Sequence, residues 1–192
     1  MSYTDPGAHF FWLGSRALGV TAMVLLSLTT GIGLALAGRP RRRGLAGWLR
    51  HHHEAFALAA LVAIAGHGLL LLGDSFLKPG LVGITVPFAV HGQPVWTGLG
   101  IIGAWLTALA GLSSYARRRI GPSAWRKIHR LTLLGWALAV VHTFGSGSDA
   151  RTLWLLAIVV STALPVVALA WARLDEVESV PSADPQRNLR TL

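Results

Sequence analysis

The chain has 192 residues, 53% of them hydrophobic and only 13% charged, with eight tryptophans and no cysteine, and its mean hydropathy is +0.54. A soluble domain of this size carries roughly twice that charge, so a water-soluble fold is excluded and nearly the whole chain reads as membrane domain. The formal net charge of +9 falls between apolar stretches rather than on a polar domain, which speaks against nucleic-acid binding. The lack of cysteine excludes disulfides and thiolate-bound metal.

Residues 1–10 form a short polar lead without the basic start or small-residue cleavage site of a signal peptide, so the first apolar stretch is expected to be a retained span. That stretch, helix one, runs from about Phe11 to Ala37, with Arg16 near its start. An arginine-rich loop, RPRRRGLAGWLR, leads to helix two, about His52 to Gly73. The connection from Asp74 to Pro94 is broken by Pro79, Pro87 and several glycines. It is too interrupted for a span, although its segment LVGITVPFAV suits the membrane interface. Helix three is expected over about Val95 to Ala116, ending in Arg117, Arg118 and Arg119. Gly121 and Pro122 break the chain before helix four, about Ser123 to Phe144. GSGSDAR turns into helix five, about Thr152 to Ala172, with Pro165 as a site for a kink. Residues 173–192 read as a polar, disordered tail. The fold class is therefore an all-α polytopic membrane bundle, residues 11–172, of about five spanning helices (six is the alternative count), each near the ~20 residues a crossing needs.

Every basic residue except Arg16, Lys78 and Arg151 falls on one side of this arrangement. The positive-inside rule then puts the N-terminus outside and the tail in the cytoplasm of a bacterial inner membrane. Helices two and four run parallel in that topology. Helix two carries His53 and His67, fourteen residues apart, and helix four carries His129 and His142, thirteen apart. At ~1.5 Å rise per residue the two levels lie roughly 20 Å apart, which fits within a core of ~30 Å.

An ionisable residue inside a span is costly and points to function. Four imidazoles at two depths on parallel helices form the ligand set for two haems, each iron held by one histidine from each helix, between helices two and four. Without cysteine such haems are b-type and non-covalent. Fourteen residues bring His53 and His67 to within about 40° of one helical face, with His52 the fallback ligand. Thirteen leave His129 and His142 about 140° apart on an ideal helix, a mismatch that a bulge or overwinding near Gly135 is expected to relieve in part. The competing account is that these histidines bond between helices or face water at the helix ends.

The histidine spacing of fourteen then thirteen, the segment RRRIGPSAWRKIHRL leading through Trp125 into helix four, and HTFGSGSDA after it together resemble the ferric reductase-like transmembrane domain family. That family includes the membrane cores of NADPH oxidases and metal reductases, and the haem-binding membrane subunit that serves periplasmic methionine sulfoxide reductase. The likeness covers about Leu13 to Trp171, as in a small stand-alone bacterial member. Family members commonly have six spans against the five counted here. The resemblance implies transmembrane electron transfer from a cytoplasmic donor to an outer acceptor: ferric iron, oxygen or a partner protein. No flavin or NAD(P) domain follows the last span, so the donor is expected to be a separate flavoprotein reductase or membrane quinol.

Arg50, Arg126 and Arg130 are candidates for the inner haem's propionates, or they set topology alone. Trp136 lies midway in depth between the histidine levels; the resemblance to NADPH oxidases implies an aromatic electron bridge there, the alternative being a filler of the helix interface. Trp12, Trp48, Trp96, Trp125, Trp154 and Trp171 flank spans and read as interfacial anchors. Gly66 and Gly68 either admit a haem or serve helix packing. Glu54 pairs with an arginine or orients a histidine. On the outer side Lys78, His91, Gln93 and Arg151 are the polar candidates, with His91 read as a solvated loop residue. Two other functions remain alongside: a haem relay subunit with no active site of its own, and a haem-free, histidine-lined transporter or scaffold.

Overall fold

The computed structural model describes residues 9–38, 42–146 and 149–178, and all regular structure among them is helical. In chain order the helices are α1 (Phe10–Ala37), α2 (Arg43–Leu71), α3 (Gly80–Thr85), α4 (Pro94–Leu112), α5 (Arg117–Ile120), α6 (Pro122–His129), α7 (Leu131–Ser146) and α8 (Leu153–Glu178). Four stretches are long and apolar enough to cross a membrane: Phe10–Ala37, Gly44–Leu71, Pro94–Leu112 and Leu153–Asp175. Their outer faces carry large apolar side chains such as Val62 (73% exposed) and Leu109 (66% exposed), as lipid-facing surfaces do. This is a helical membrane protein.

Three boundaries differ most from the sequence reading, and α4 also ends early, at Leu112 rather than Ala116, with the arginine run forming the separate α5. α2 begins at Arg43, so much of the expected arginine loop is its first turns; Leu45, Trp48, Leu49 and His52 keep helical spacing there and no proline intervenes. α8 continues through Glu178 into what was read as tail; residues 179–192, with Arg187 and Arg190, lie outside the described residues, as do 1–8 of the lead, Arg39 and Arg41. Pro165 sits inside α8 without ending it. The Thr162 hydroxyl donates to the Ile158 carbonyl at 2.8 Å one turn before the proline, the kind of side-chain bond that accompanies prolines in membrane helices.

The third difference is the largest. The expected single helix four is two helices, α6 and α7, separated at Arg130. α6 is short and basic, opened by Pro122 after Gly121 at φ 82. At the break the Leu133 amide reaches the Arg130 carbonyl at 3.1 Å, three residues back rather than four. The Thr132 hydroxyl bonds the His129 carbonyl at 2.7 Å. The correction to helical phase thus falls at Arg130, not near Gly135. Gly135 instead packs on α4, where an added Cβ would meet Thr107 Oγ1 at 2.5 Å.

Two antiparallel pairs, α1 with α2 and α4 with α7, build the bundle, and α1 also touches α7 and α8. Close approach along α1–α2 runs from Phe11 against Gly73 to Gly33 against His53, and along α4–α7 from Trp96 against Gly145 to Gly103 against Gly135. The core lies where α1, α2, α7 and α8 converge, on Met23, Leu26, Ala60, Trp136, Leu155, Val159 and Val166. The segment after Asp74 folds back as α3, with Leu81 and Val82 exposed. It is tied to α4 by the Trp105 indole, which donates to the Thr85 carbonyl at 2.9 Å.

Candidate functional site: two histidine pairs between α2 and the α6–α7 segment

The four expected ligand histidines come together as two facing pairs. The rings of His53 and His129 are 6.1 Å apart between centroids and inclined at 74°. Those of His67 and His142 are 6.3 Å apart at 73°. α2 and α7 therefore run in the same direction. Their backbones hardly meet, although each nestles along its own partner helix. A bond of about 2 Å from metal to imidazole nitrogen, with that nitrogen about 1 Å from its ring centre, sets two rings sharing one metal about 6 Å apart. Each pair thus has the separation at which two imidazoles hold one metal ion from opposite sides. No cluster of three or more histidine or acidic side chains with metal-binding geometry occurs among the described residues.

Three of the four rings are oriented by one device, and the fourth approaches it. His53 Nδ1 donates to the Thr29 carbonyl at 3.0 Å, and His67 Nδ1 to the Ser15 carbonyl at 2.7 Å. His142 Nδ1 donates to the Trp96 carbonyl at 2.9 Å, and His129 Nδ1 lies 3.4 Å from the Ala110 carbonyl. Among the described residues none of the four Nε2 atoms makes a hydrogen bond. Donation from Nδ1 to a carbonyl leaves Nε2 as the basic nitrogen, the arrangement found behind metal-ligating histidines.

The backing helices are built for this contact. A helical carbonyl already accepting the amide four residues on has a second lone pair, and a glycine at that fourth position leaves it open to a ring. On α1 the pattern occurs twice, as Ser15 with Gly19 and Thr29 with Gly33, fourteen residues apart like the histidines they serve. A Cβ on Gly19 would stand 2.9 Å from His67 Nδ1, and one on Gly33 would stand 3.1 Å from His53 Cε1. On α4, Trp96 with Gly100 repeats it, and a Cβ on Gly100 would stand 2.6 Å from His142 Nδ1. Ser15 also returns a bond, its hydroxyl donating to the His67 carbonyl at 2.8 Å. Sequence reasoning missed these seats; the signal was a small polar residue followed four places on by glycine, recurring after fourteen.

His129 is held differently. Its ring stacks on Trp125, with centroids 5.0 Å apart and planes 22° apart, and the Arg117 guanidinium lies 5.0 Å from the Trp125 ring centre on α5. Trp125 is therefore a wall of the pair, not merely the anchor it was read as. His52 faces elsewhere, stacked on Trp48 at 4.0 Å with Nδ1 bonded to the Trp48 carbonyl at 2.9 Å. His53 is the histidine opposite His129.

Trp136, 7% exposed, packs beside Ala60 at mid-depth and donates from Nε1 to Ser27 Oγ at 3.0 Å. Arg50, Arg126 and Arg130 are exposed at the His53–His129 end. Glu54 is exposed and makes no ion pair among the described residues. Gly66 seats Leu18 of α1, so it serves packing, whereas Gly68 has open space beside it. At the other end Arg16 pairs with Asp149 and lies over Trp12, while Lys78, His91, Gln93 and Arg151 are exposed. No protein-family model matches the chain, and no solved structure matches it.

Proposed function

We propose that this chain is a b-type dihaem membrane protein of the ferric reductase-like kind that carries electrons across the bilayer. His53 and His129 ligate one haem iron, and His67 and His142 the other. The observation that carries the reading is the pairing itself: two sets of imidazoles with ring centres about 6 Å apart, every Nδ1 within reach of a backbone carbonyl and no Nε2 hydrogen-bonded among the described residues. Histidines serving only helix–helix hydrogen bonding have no reason to meet another such histidine at this separation, twice.

Haem supplies a one-electron couple whose potential follows axial ligation, burial and hydrogen bonding. The protein's part is to hold the imidazoles at fixed rotation, to keep Nε2 basic through the Nδ1 bonds, and to exclude water with the core around Trp136. With both imidazoles of a pair engaged on one iron, an acceptor would be reduced at the edge of the group rather than by binding to the metal. Trp136, between the levels, is the candidate bridge. α7 lies along α4 from Gly145 against Trp96 to Gly135 against Gly103, which supports reading α6–α7 as a fifth crossing. The arginine distribution supports an N-terminus outside and the His53–His129 level at the cytoplasmic face of a bacterial inner membrane. Electrons then enter from a flavoprotein reductase or quinol and leave to ferric iron, oxygen or a partner protein outside.

Haem stoichiometry by pyridine haemochrome tests this on the purified wild type and on His67→Ala and His129→Ala. Two haems per chain, reduced to one in each variant, is the expected result. A folded wild type that binds no haem when supplied with it overturns the reading.

A further inference from the structure

Trp125 stands apart from the other tryptophans. Its ring is stacked on His129 and covered on α5 by Arg117, and its Nε1 is buried with no hydrogen-bond partner. A buried N–H without an acceptor has given up water with nothing in return, and native structures leave few such groups unexplained. Trp136 offers the contrast, since its Nε1 is bonded to Ser27. The expected propionate partners Arg50, Arg126 and Arg130 are all exposed, so they do not supply a buried donor beside the histidine pair.

We infer that Trp125 is a haem-contact residue of the His53–His129 site, its Nε1–H donating to a propionate carboxylate while its ring braces the His129 imidazole. The inference rests on the dihaem reading above. A haem held by His129 would meet the same imidazole that the indole stacks on, and the carboxylates of haem b would supply the hydrogen-bond acceptors that the buried Nε1–H lacks. A charge-assisted bond of this kind is shorter and stronger than a neutral one. Arg117 strengthens it: a cation over the indole face draws electron density from the ring and makes Nε1–H a better donor. The stack also takes the place of a glycine seat, which His129 alone among the four histidines lacks.

Trp125→Phe keeps an aromatic ring against His129 and removes the N–H. The proposal expects that variant to retain two haems by pyridine haemochrome. One of its two midpoint potentials should fall, because a propionate that loses a donor leaves more negative charge beside ferric iron, and the propionate bending band in resonance Raman should shift. Two haems with both potentials and the band unchanged overturn the inference while leaving the dihaem reading intact. A haem-free wild type instead removes the reading on which it rests. Should Trp125→Phe fail to accumulate, the wild type decides: a propionate band that shifts in D2O supports an N–H donor there, and a band at one frequency in both solvents overturns it.

Discussion

The α1–α2 half and the α4–α7 half solve one problem with unequal success. Each sets two histidines against carbonyls fourteen residues apart on an antiparallel neighbour, Ser15 and Thr29 in one half, Trp96 and Ala110 in the other. In the first half the histidines are also fourteen apart, α2 is unbroken, both rings rest on glycine, and the bonds are 2.7 and 3.0 Å. In the second half the spacing is thirteen. An intact helix would put the two rings on different faces, and the helix breaks at Arg130. The cost falls on the histidine beyond the break: His129 has no glycine seat, and its carbonyl is at 3.4 Å. Stacking on Trp125 replaces what the hydrogen bond does not supply. The lesson is that register against a neighbouring helix matters more than regularity within one's own.

The largest effects are expected at the glycine seats, which separate the well-held sites from the loose one. Gly100→Ala, with its Cβ 2.6 Å from His142 Nδ1, is expected to abolish binding of one haem, read as the drop from two to one in a pyridine haemochrome assay. Gly19→Ala, at 2.9 Å from His67 Nδ1, should lose the same haem less completely, and Gly33→Ala, at 3.1 Å from His53 Cε1, should only alter the spectrum of the other. Unchanged haem content and spectra in all three would show that the seats play no part in orienting the rings.

Gly111→Ala is the control on α4, since an added Cβ there meets nothing within 4 Å. It should keep full haem content and gain up to about 1 kcal/mol from helix propensity, visible as a higher Tm. A marked fall in haem content from this change would undo the assignment of the glycine effects to ring contact.

Trp136→Phe removes the indole bond to Ser27 and should destabilise the fold by roughly 0.5–1.5 kcal/mol while leaving both haems in place. If Trp136 bridges the haems, stopped-flow reduction of the outer haem slows in the same variant; an unchanged rate would leave it the role of interface filler. An effect of similar size is expected for Ser15→Ala. The main-chain carbonyl that holds His67 survives that change, so haem content should stay at wild type and stability should fall by about 1 kcal/mol in denaturant titration. Loss of haem would mean that the hydroxyl, not the carbonyl, sets the ring.

Much of this molecule follows from local pattern. Runs of apolar residues near the length of a bilayer mark α1, α2, α4 and α8, because hydropathy and length are properties of a segment alone. His53 and His67 stand out for the same reason, as ionisable groups inside such a segment, and His129 and His142 because they repeat that spacing to within one residue. Rotation of one helix against another is not a local property. That Gly19, Gly33 and Gly100 lie under imidazoles, and that Trp125 walls a site, depend on which faces meet when the helices pack. The break at Arg130 belongs with them: thirteen residues signal a mismatch, but only packing against fixed carbonyls on α4 shows where the chain yields.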